Sequence, residues 1–428
     1  MMDTIYAVSS GAPPAAIGVI RVSGSRAGEA LESLTNRKIE PRRASLAMLR
    51  DRAGNALDEA LVLWFPGPHT ATGEDLVEFH CHGGRAVLAA VSRALGELDG
   101  LRPAEPGEFT RRAFANGRID LAEAEGLADL LAAETELQRA SAMAMAGGAV
   151  SRETSRWRDE VLRLSAQVEA ALDFSDEDDV GELPPSFGED VAALLGELRD
   201  WLRRPRSEIL GEGFRVAIAG PPNTGKSTLF NALTESEAAI TSPIAGTTRD
   251  VIVRSVAIEG IPFSFVDTAG LREVDEMKGG DPIEAIGIER ARGELAKADV
   301  ILWLGAEGEG PTNAWEVAAK SDLDDFVGKA ASYVVSAATG IGVEELKDAL
   351  VAAARTSLPK PGEAALNSRQ HQRLQEAAEA FERTLSASDP LIVAEELRRA
   401  RVAFDRLTGR ATTEDMLDAL FDRFCIGK

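Results

Sequence analysis

Phe214-Arg215-Val216-Ala217-Ile218-Ala219 runs directly into Gly220-Pro221-Pro222-Asn223-Thr224-Gly225-Lys226-Ser227, and Thr228–Leu233 continues in a helical pattern. The first six residues are a short apolar run of the kind that predicts a buried strand. Strand, G-x-x-x-x-G-K-S and helix in this order form the context of a phosphate-binding loop. The glycines let backbone N–H groups curl around a β-phosphate. Lys226 spans the β- and γ-oxygens, and the Ser227 hydroxyl is placed to ligate Mg²⁺. Asn223, Thr224, Gly225, Lys226, Ser227 and Thr228 are therefore the candidate nucleotide contacts, and they predict an α/β unit around them.

Further along, Phe263–Val266 reads as a second apolar strand ending in Asp267-Thr268-Ala269-Gly270. A carboxylate at the carboxyl end of a strand suits the outer coordination of Mg²⁺, and Gly270 offers an N–H to a γ-phosphate. Ile244-Ala245-Gly246-Thr247-Thr248-Arg249-Asp250 lies between the two motifs. A threonine there completes a Mg²⁺ shell only while the γ-phosphate is present, which makes the segment a switch. In this order behind a phosphate loop, the motifs indicate a GTPase rather than a kinase. Base recognition falls to Ala319-Lys320-Ser321-Asp322 and to Ser336-Ala337-Ala338 after the strand Tyr333–Val335. Asp322 can accept from the N1 and N2 donors of guanine, and the Lys320 stem can cover the ring. Ala319 stands where an asparagine is usual, so one base contact and one tie to the phosphate loop are missing and weaker guanine selectivity is expected. Leu271 cannot orient a water, which leaves the acidic stretch Glu273–Glu289 as the nearby supply of that function or as a solvated loop.

The flanks differ from this block. Residues 1–118 alternate short apolar runs with Gly/Pro turns, with strands expected over Ala15–Ser23, Leu61–Phe65 and Leu76–His82. Arg21 shares a strand face with Ile17 and Val19, and Glu78 shares one with His80 and His82. Arg21 by itself reads rather as half of a structural ion pair. Alternation places Cys81 on the face opposite the two histidines, which argues against a metal site there. From Asp120 a helical period takes over. Asp120 and Glu123 form a capping box, a helical stretch runs to Ala146, and further helices are expected around Val161–Leu172 and Val191–Leu202. Helical character returns after Pro359-Lys360-Pro361-Gly362. The expected architecture is an α+β N-terminal domain (1–118), an all-α helical domain in two pieces (119–210 and 362–428), and an inserted α/β P-loop G domain (211–361).

The 428 residues carry a net charge of −23, which argues against a protein that coats nucleic acid by itself, though a local basic patch or a basic partner remains open. Cys81 and Cys425 are the only cysteines, and they make no disulfide framework. With no secretory leader and no apolar run long enough to span a bilayer, a cytoplasmic protein without membrane attachment is expected.

Arg21-Val22-Ser23-Gly24, Phe65-Pro66-Gly67-Pro68, Thr72-Gly73-Glu74-Asp75, Pro106-Gly107-Glu108-Phe109 and the ending Phe424-Cys425-Ile426-Gly427-Lys428, together with the GTPase motifs, make the whole chain resemble the MnmE/TrmE family of tRNA-modifying GTPases. The resemblance implies an N-terminal folate-binding and dimerising domain, a discontinuous helical domain and an inserted G domain. It implies K⁺ held by Asn223 with Ser242, Ile244 and Thr247, and Mg²⁺ held by Ser227 and Thr248. Glu284 would orient the water, although Lys278-Gly279-Gly280 lengthens this switch. Asp267, Thr268, Ala269, Gly270, Lys320, Asp322, Ser336 and Ala337 would complete the GTP site. It further implies that Arg21, Glu78, Arg118 and Lys428 bind a 5-formyl- or 5,10-methylene-tetrahydrofolate, and that Cys425, otherwise readable as a small core residue, acts beside it. The implied assembly is a homodimer joined to an FAD-dependent partner of the MnmG/GidA type, acting on carbon 5 of the wobble uridine of tRNA. Two other readings of the motifs are an RNA-binding assembly GTPase and a non-hydrolysing nucleotide-sensing scaffold.

Overall fold

The computed structural model describes residues 3–173, 183–235, 238–239, 252–267, 293, 295–324, 326, 328–330, 332–411, 414–422 and 424–427. The chain forms two compact units, each assembled from separated stretches. The first comprises Met1–Ala128, Val150–Leu162 and Arg401–Lys428, and the second comprises Asp129–Ala149 and Arg163–Ala400.

The first unit is organised by strands β1 (Thr4–Val8), β2 (Ile17–Ser23), β3 (Ser45–Arg50), β4 (Ala56–Phe65), β5 (Leu76–His82) and β6 (Leu101–Pro103), in the spatial order β3-β4-β5-β2-β1-β6. All neighbours are antiparallel except β1 and β6. Strand alternation decides what each face carries. In β5, Val77, Phe79 and Cys81 enter a core closed by Leu31 and Leu34 of the helix Ala27–Thr35 and by Leu88, Val91 and Leu95 of the helix Arg85–Gly96. Glu78, His80 and His82 point the other way, so Cys81 does lie opposite the histidines. Burial pushes its thiol up to about 12. The same unit closes a second cluster from Leu121, Ala124, Leu420, Phe421 and Phe424, and stacks Trp157 on Phe404 with centroids 5.9 Å apart.

The capping box at Asp120 forms as expected: Asp120 N–H donates to Glu123 Oε2 at 2.8 Å, and Glu123 N–H to Asp120 Oδ1 at 2.9 Å. The helical stretch that follows is not continuous. It divides into Leu121–Ala132 and Glu136–Ala146, because Thr135 and Gln138 form a second capping box that starts a new helix.

In the second unit, β7 (Phe214–Ala219), β8 (Ala238–Ala239), β9 (Ile252–Ile258), β10 (Ile261–Asp267), β11 (Val300–Trp303), β12 (Trp315–Ala318) and β13 (Tyr333–Val334) form one sheet, in the order β13-β12-β11-β7-β10-β9-β8. The run from β13 to β10 is parallel, and β9 and β8 extend it antiparallel. The helices Lys226–Thr234 and Val343–Ser357 bury Leu229, Phe230, Leu233, Leu346 and Leu350 against the sheet. Parallel strands are ordinarily joined through a helix. Among the described residues, however, the β11–β12 and β12–β13 connections contain none, so regular α/β alternation stops at this end of the sheet.

Candidate functional site

The loop between β7 and the helix Lys226–Thr234 is shaped by backbone requirements. Gly220 has φ +146°, and a Cβ there would meet Gly305 N at 3.0 Å and Leu304 C at 3.1 Å. Gly225, at φ +98°, caps the helix without any side-chain acceptor, so no side chain of the cap residue competes for the first N–H groups. Asn223 adopts φ +64°, a left-handed conformation that asparagine tolerates better than most residues. Lys226 is buried, and its Nζ donates to the Gly220 and Pro221 carbonyls, both at 2.6 Å. Thr224 Oγ1 donates to Pro221 O at 2.9 Å. The register places Asp267, the last residue of β10, beside Ile218 of β7. Asp267 is buried and accepts from Ser227 Oγ at 2.8 Å. A hydroxyl and a carboxylate therefore converge at the start of the helix, a pair of hard oxygen donors suited to Mg²⁺.

The base-recognition segment is joined to this loop. Lys320, at φ +62°, donates from Nζ to Asn223 O at 2.6 Å. Ser336 is buried and donates to Asp322 Oδ1 at 2.6 Å, which holds the carboxylate in place. Ala319 and Ala337 are half-buried against the sheet core. The Ala319 methyl lies 3.8 Å from where a Cβ on Gly225 would sit, so the missing asparagine amide would have faced the loop. Sequence reasoning missed Lys329. Its Nζ donates to Trp303 O at 3.2 Å, Gly305 O at 2.9 Å and Glu316 Oε2 at 2.6 Å, fixing the turn that abuts Gly220. No motif surrounds this lysine; only the fold reveals it.

In the first unit, Arg21 and Glu78 face each other across β2 and β5, with Arg21 Nε and Nη2 at 3.1 and 2.8 Å from Glu78 Oε1. His80 Nε2 is 3.3 Å from Glu78 Oε2. Burial alone raises the pKa of Glu78, but the hydrogen bonds and charges of Arg21 and His80 outweigh it and leave the carboxyl below its usual range. Arg118 Nε donates to Thr70 O at 3.0 Å. Beside this pair lies a network that sequence reasoning did not single out for a role. Arg112, only 5% exposed, bridges Glu74 at 3.1 Å and Glu108 at 2.9 Å, and Ser23 Oγ donates to Glu74 Oε2 at 2.8 Å. Its carboxylates occur in the Thr72–Asp75 and Pro106–Phe109 stretches, which were its visible sign. The carboxyl-terminal tail docks on the same unit through a bridge between Pro106 and Ile426. Gly427, at φ +96°, packs so closely that a Cβ would stand 2.3 Å from Val8 O. Cys425 is exposed. Ser242, Ile244, Thr247, Thr248, Thr268, Ala269, Gly270, Glu284 and Lys428 lie outside the described residues.

The loop, its buried lysine and the adjoining hydroxyl–carboxylate pair define a P-loop GTP hydrolase. The MnmE helical domain family matches residues 121–425, and the family described as GTP-binding protein TrmE N-terminus matches residues 4–118. The tRNA modification GTPase MnmE of Erythrobacter litoralis is 63% identical over 428 residues, covering 100% of both chains. Its namesake from Novosphingobium aromaticivorans is 60% identical over 442 residues, again covering 100% of each. Among solved structures, Era of Aquifex aeolicus bound to GDP and aluminium fluoride is 26% identical with a TM-score of 0.25, covering 41% of this chain and 68% of that one. The chain belongs to the MnmE family of tRNA modification GTPases. Among the described residues, no helix is long and apolar enough to cross a membrane.

Proposed function

We propose that the chain is a potassium-dependent GTPase that acts with an FAD-dependent partner of the MnmG/GidA type. Together they modify carbon 5 of the wobble uridine of tRNAs with a one-carbon folate. The observation that carries the GTPase part is the convergence of Lys226, Ser227 and Asp267 on one helix start whose cap, Gly225, has no side chain. When GTP arrives, Lys226 exchanges two neutral carbonyl acceptors for anionic phosphate oxygens. The N–H groups of the loop and of the first helical turn receive the β-phosphate. Asp322, held by Ser336, reads the guanine edge, with Ser336 and Ala337 closing the base pocket and Lys320 linking it to the loop.

Ser227, Thr248 and, through Ser227, Asp267 would hold Mg²⁺, which supplies charge neutralisation between the β- and γ-oxygens. Asn223 with Ser242, Ile244 and Thr247 would hold K⁺, whose charge stabilises the transition state where other GTPases use an arginine finger. Glu284 would orient the attacking water, and Thr268, Ala269 and Gly270 would complete the γ-phosphate side of the site. In the first unit the Arg21–Glu78 pair offers a carboxylate and a guanidinium for the polar edge of a pterin ring. Arg118 and Lys428 would complete a tetrahydrofolate site, and the folate supplies the one-carbon unit. The exposed Cys425 beside the docked tail is the nucleophile candidate.

A homodimer accounts for the exposed Ile17, Leu46, Met48 and Leu61 on the sheet face away from the two helices. Residues 211–361 act as the G domain, set within the helical pieces 119–210 and 362–428 and following the folate domain 1–118. The cytoplasm, where tRNA and GTP are found, is the proposed location. GTP turnover is expected to be faster in KCl than in NaCl, and equal rates would remove the potassium site. Nucleosides of tRNA from cells lacking the chain should lose the modified wobble uridine; an unchanged profile would remove the pathway and leave the GTPase standing.

A further inference from the structure

The net charge of −23 is unevenly spread. Residues 1–118 are balanced, so the whole excess resides in the remainder. Within the balanced part, Arg37, Lys38, Arg42, Arg43, Arg50 and Arg52 are opposed in their own stretch only by Glu40 and Asp51. The structure shows that these cations remain largely unneutralised. Arg43 alone pairs with a carboxylate, Glu40 at 3.0 Å, and both partners are largely exposed. Arg37 donates to the Leu46 carbonyl, Arg42 to His69 O at 2.6 Å, and Arg50 to Gly54 O at 2.9 Å. A carbonyl orients a guanidinium without cancelling its charge. Asp51 spends its carboxylate on Asn55, taking bonds from Asn55 N at 2.8 Å and Nδ2 at 2.9 Å. Lys38 and Arg52 are exposed and have no ion pair or side-chain hydrogen bond among the described residues. Arg85 and Arg118 likewise donate to carbonyls, at 3.2 and 3.0 Å, whereas Arg21, Arg102, Arg139, Arg199 and Arg398 are each tied to a carboxylate.

Position adds to the charge argument. Arg37, Lys38, Arg42 and Arg43 occupy the connection entering β3, and Arg50 and Arg52 lie at its far end. β3 is the edge strand of its sheet. At about 3.3 Å per residue the strand separates the two groups by about 17 Å. Cations held at intervals along an edge match a repeating anion, and guanidinium groups held by one N–H keep others for phosphate oxygens.

We infer that the edge formed by residues 37–52 docks the phosphate backbone of the RNA substrate. The inference rests on the tRNA-modifying reading and supplies its missing contact surface. It explains how so acidic a chain meets a polyanion: contact is made from the charge-balanced N-terminal part, through cations of which, among the described residues, only Arg43 carries an internal counter-ion.

The test is a Lys38→Gln/Arg52→Gln variant of the full chain, titrated with an in-vitro-transcribed tRNA by fluorescence anisotropy between 50 and 200 mM KCl. These two side chains hold no internal bond, so folding should be unaffected, and GTP hydrolysis should match the parent. Affinity is expected to fall about tenfold, and the slope of log K against log salt by about 1 to 2. An Arg398→Gln/Arg399→Gln control, which removes two exposed arginines already paired with glutamates, should keep the parental slope. A parental slope in the first variant, an equal loss in the control, or an effect seen only on binding the FAD-dependent partner would overturn the assignment. Failure of the tRNA reading itself shows separately, as wobble uridines unaltered by deleting the chain.

Discussion

Replacing Lys226 by alanine tests the phosphate loop most directly. In the structure Lys226 is 7% exposed, and its ammonium is bonded to two neutral carbonyls at 2.6 Å. Binding GTP exchanges these for two anionic oxygens. Each exchange replaces an ammonium–carbonyl bond by a bond between opposite charges, which should gain about 1.5–2 kcal/mol in a site shielded from water. Two such exchanges amount to about 3–4 kcal/mol, or roughly 10²- to 10³-fold in affinity at about 1.4 kcal/mol per decade. GDP presents no γ-oxygens, so its loss should be about half as large in free energy, near tenfold to thirtyfold. Titrating a fluorescent GTP and a fluorescent GDP into parent and variant measures both numbers, and circular dichroism confirms that the helical content survives. A GTP affinity within about threefold of the parent would refute the loop assignment. Equal losses for the two nucleotides would show that the lysine does not reach the γ-phosphate.

Glu108 provides a second test, through pH. Burial alone would raise its pKa, but bonds from Arg102, the Glu105 N–H and Arg112 bring it from the ordinary 4.5 to about 2. A depressed carboxyl contributes stability that is present above 4.5 and is lost as pH falls from there towards 2. Glu108→Gln should therefore lower the stability of the first unit at pH 7 by about 2 kcal/mol, with Arg112 still paired to Glu74, and flatten its acid dependence over that window. Thermal melts between pH 3 and pH 7 check this; a variant as acid-sensitive as the parent would argue against it. Gly107→Ala should displace the helix Glu414–Phe421, since Gly107 has φ +67° and its Cβ would stand 2.2 Å from Phe421 O. Faster proteolysis behind residue 407 is the expected outcome, and unchanged protection would refute the packing argument.

Much of this protein was legible in one dimension because the relevant physics is local. A phosphate loop needs glycine at Gly220 and Gly225 for backbone reasons and a lysine at a set spacing, so Lys226 and Ser227 could be named before any fold was known. The capping box at Asp120 and the alternation that separates Cys81 from His80 are equally local. Other features depended on residues far apart in sequence. The pairing of Arg21 with Glu78 follows from the register of β2 against β5, and the meeting of Ser227 with Asp267 follows from β10 lying beside β7. The grip of Lys329 on the turn after β11 left no local mark, because its three acceptors come from two strand ends and a loop. Charge showed the same division. Residues 37–52 look basic on paper, but only the tertiary structure decided that Arg37, Arg42 and Arg50 bond to carbonyls rather than carboxylates. Composition counts charges, whereas the geometry of the partners determines which of them stay uncompensated.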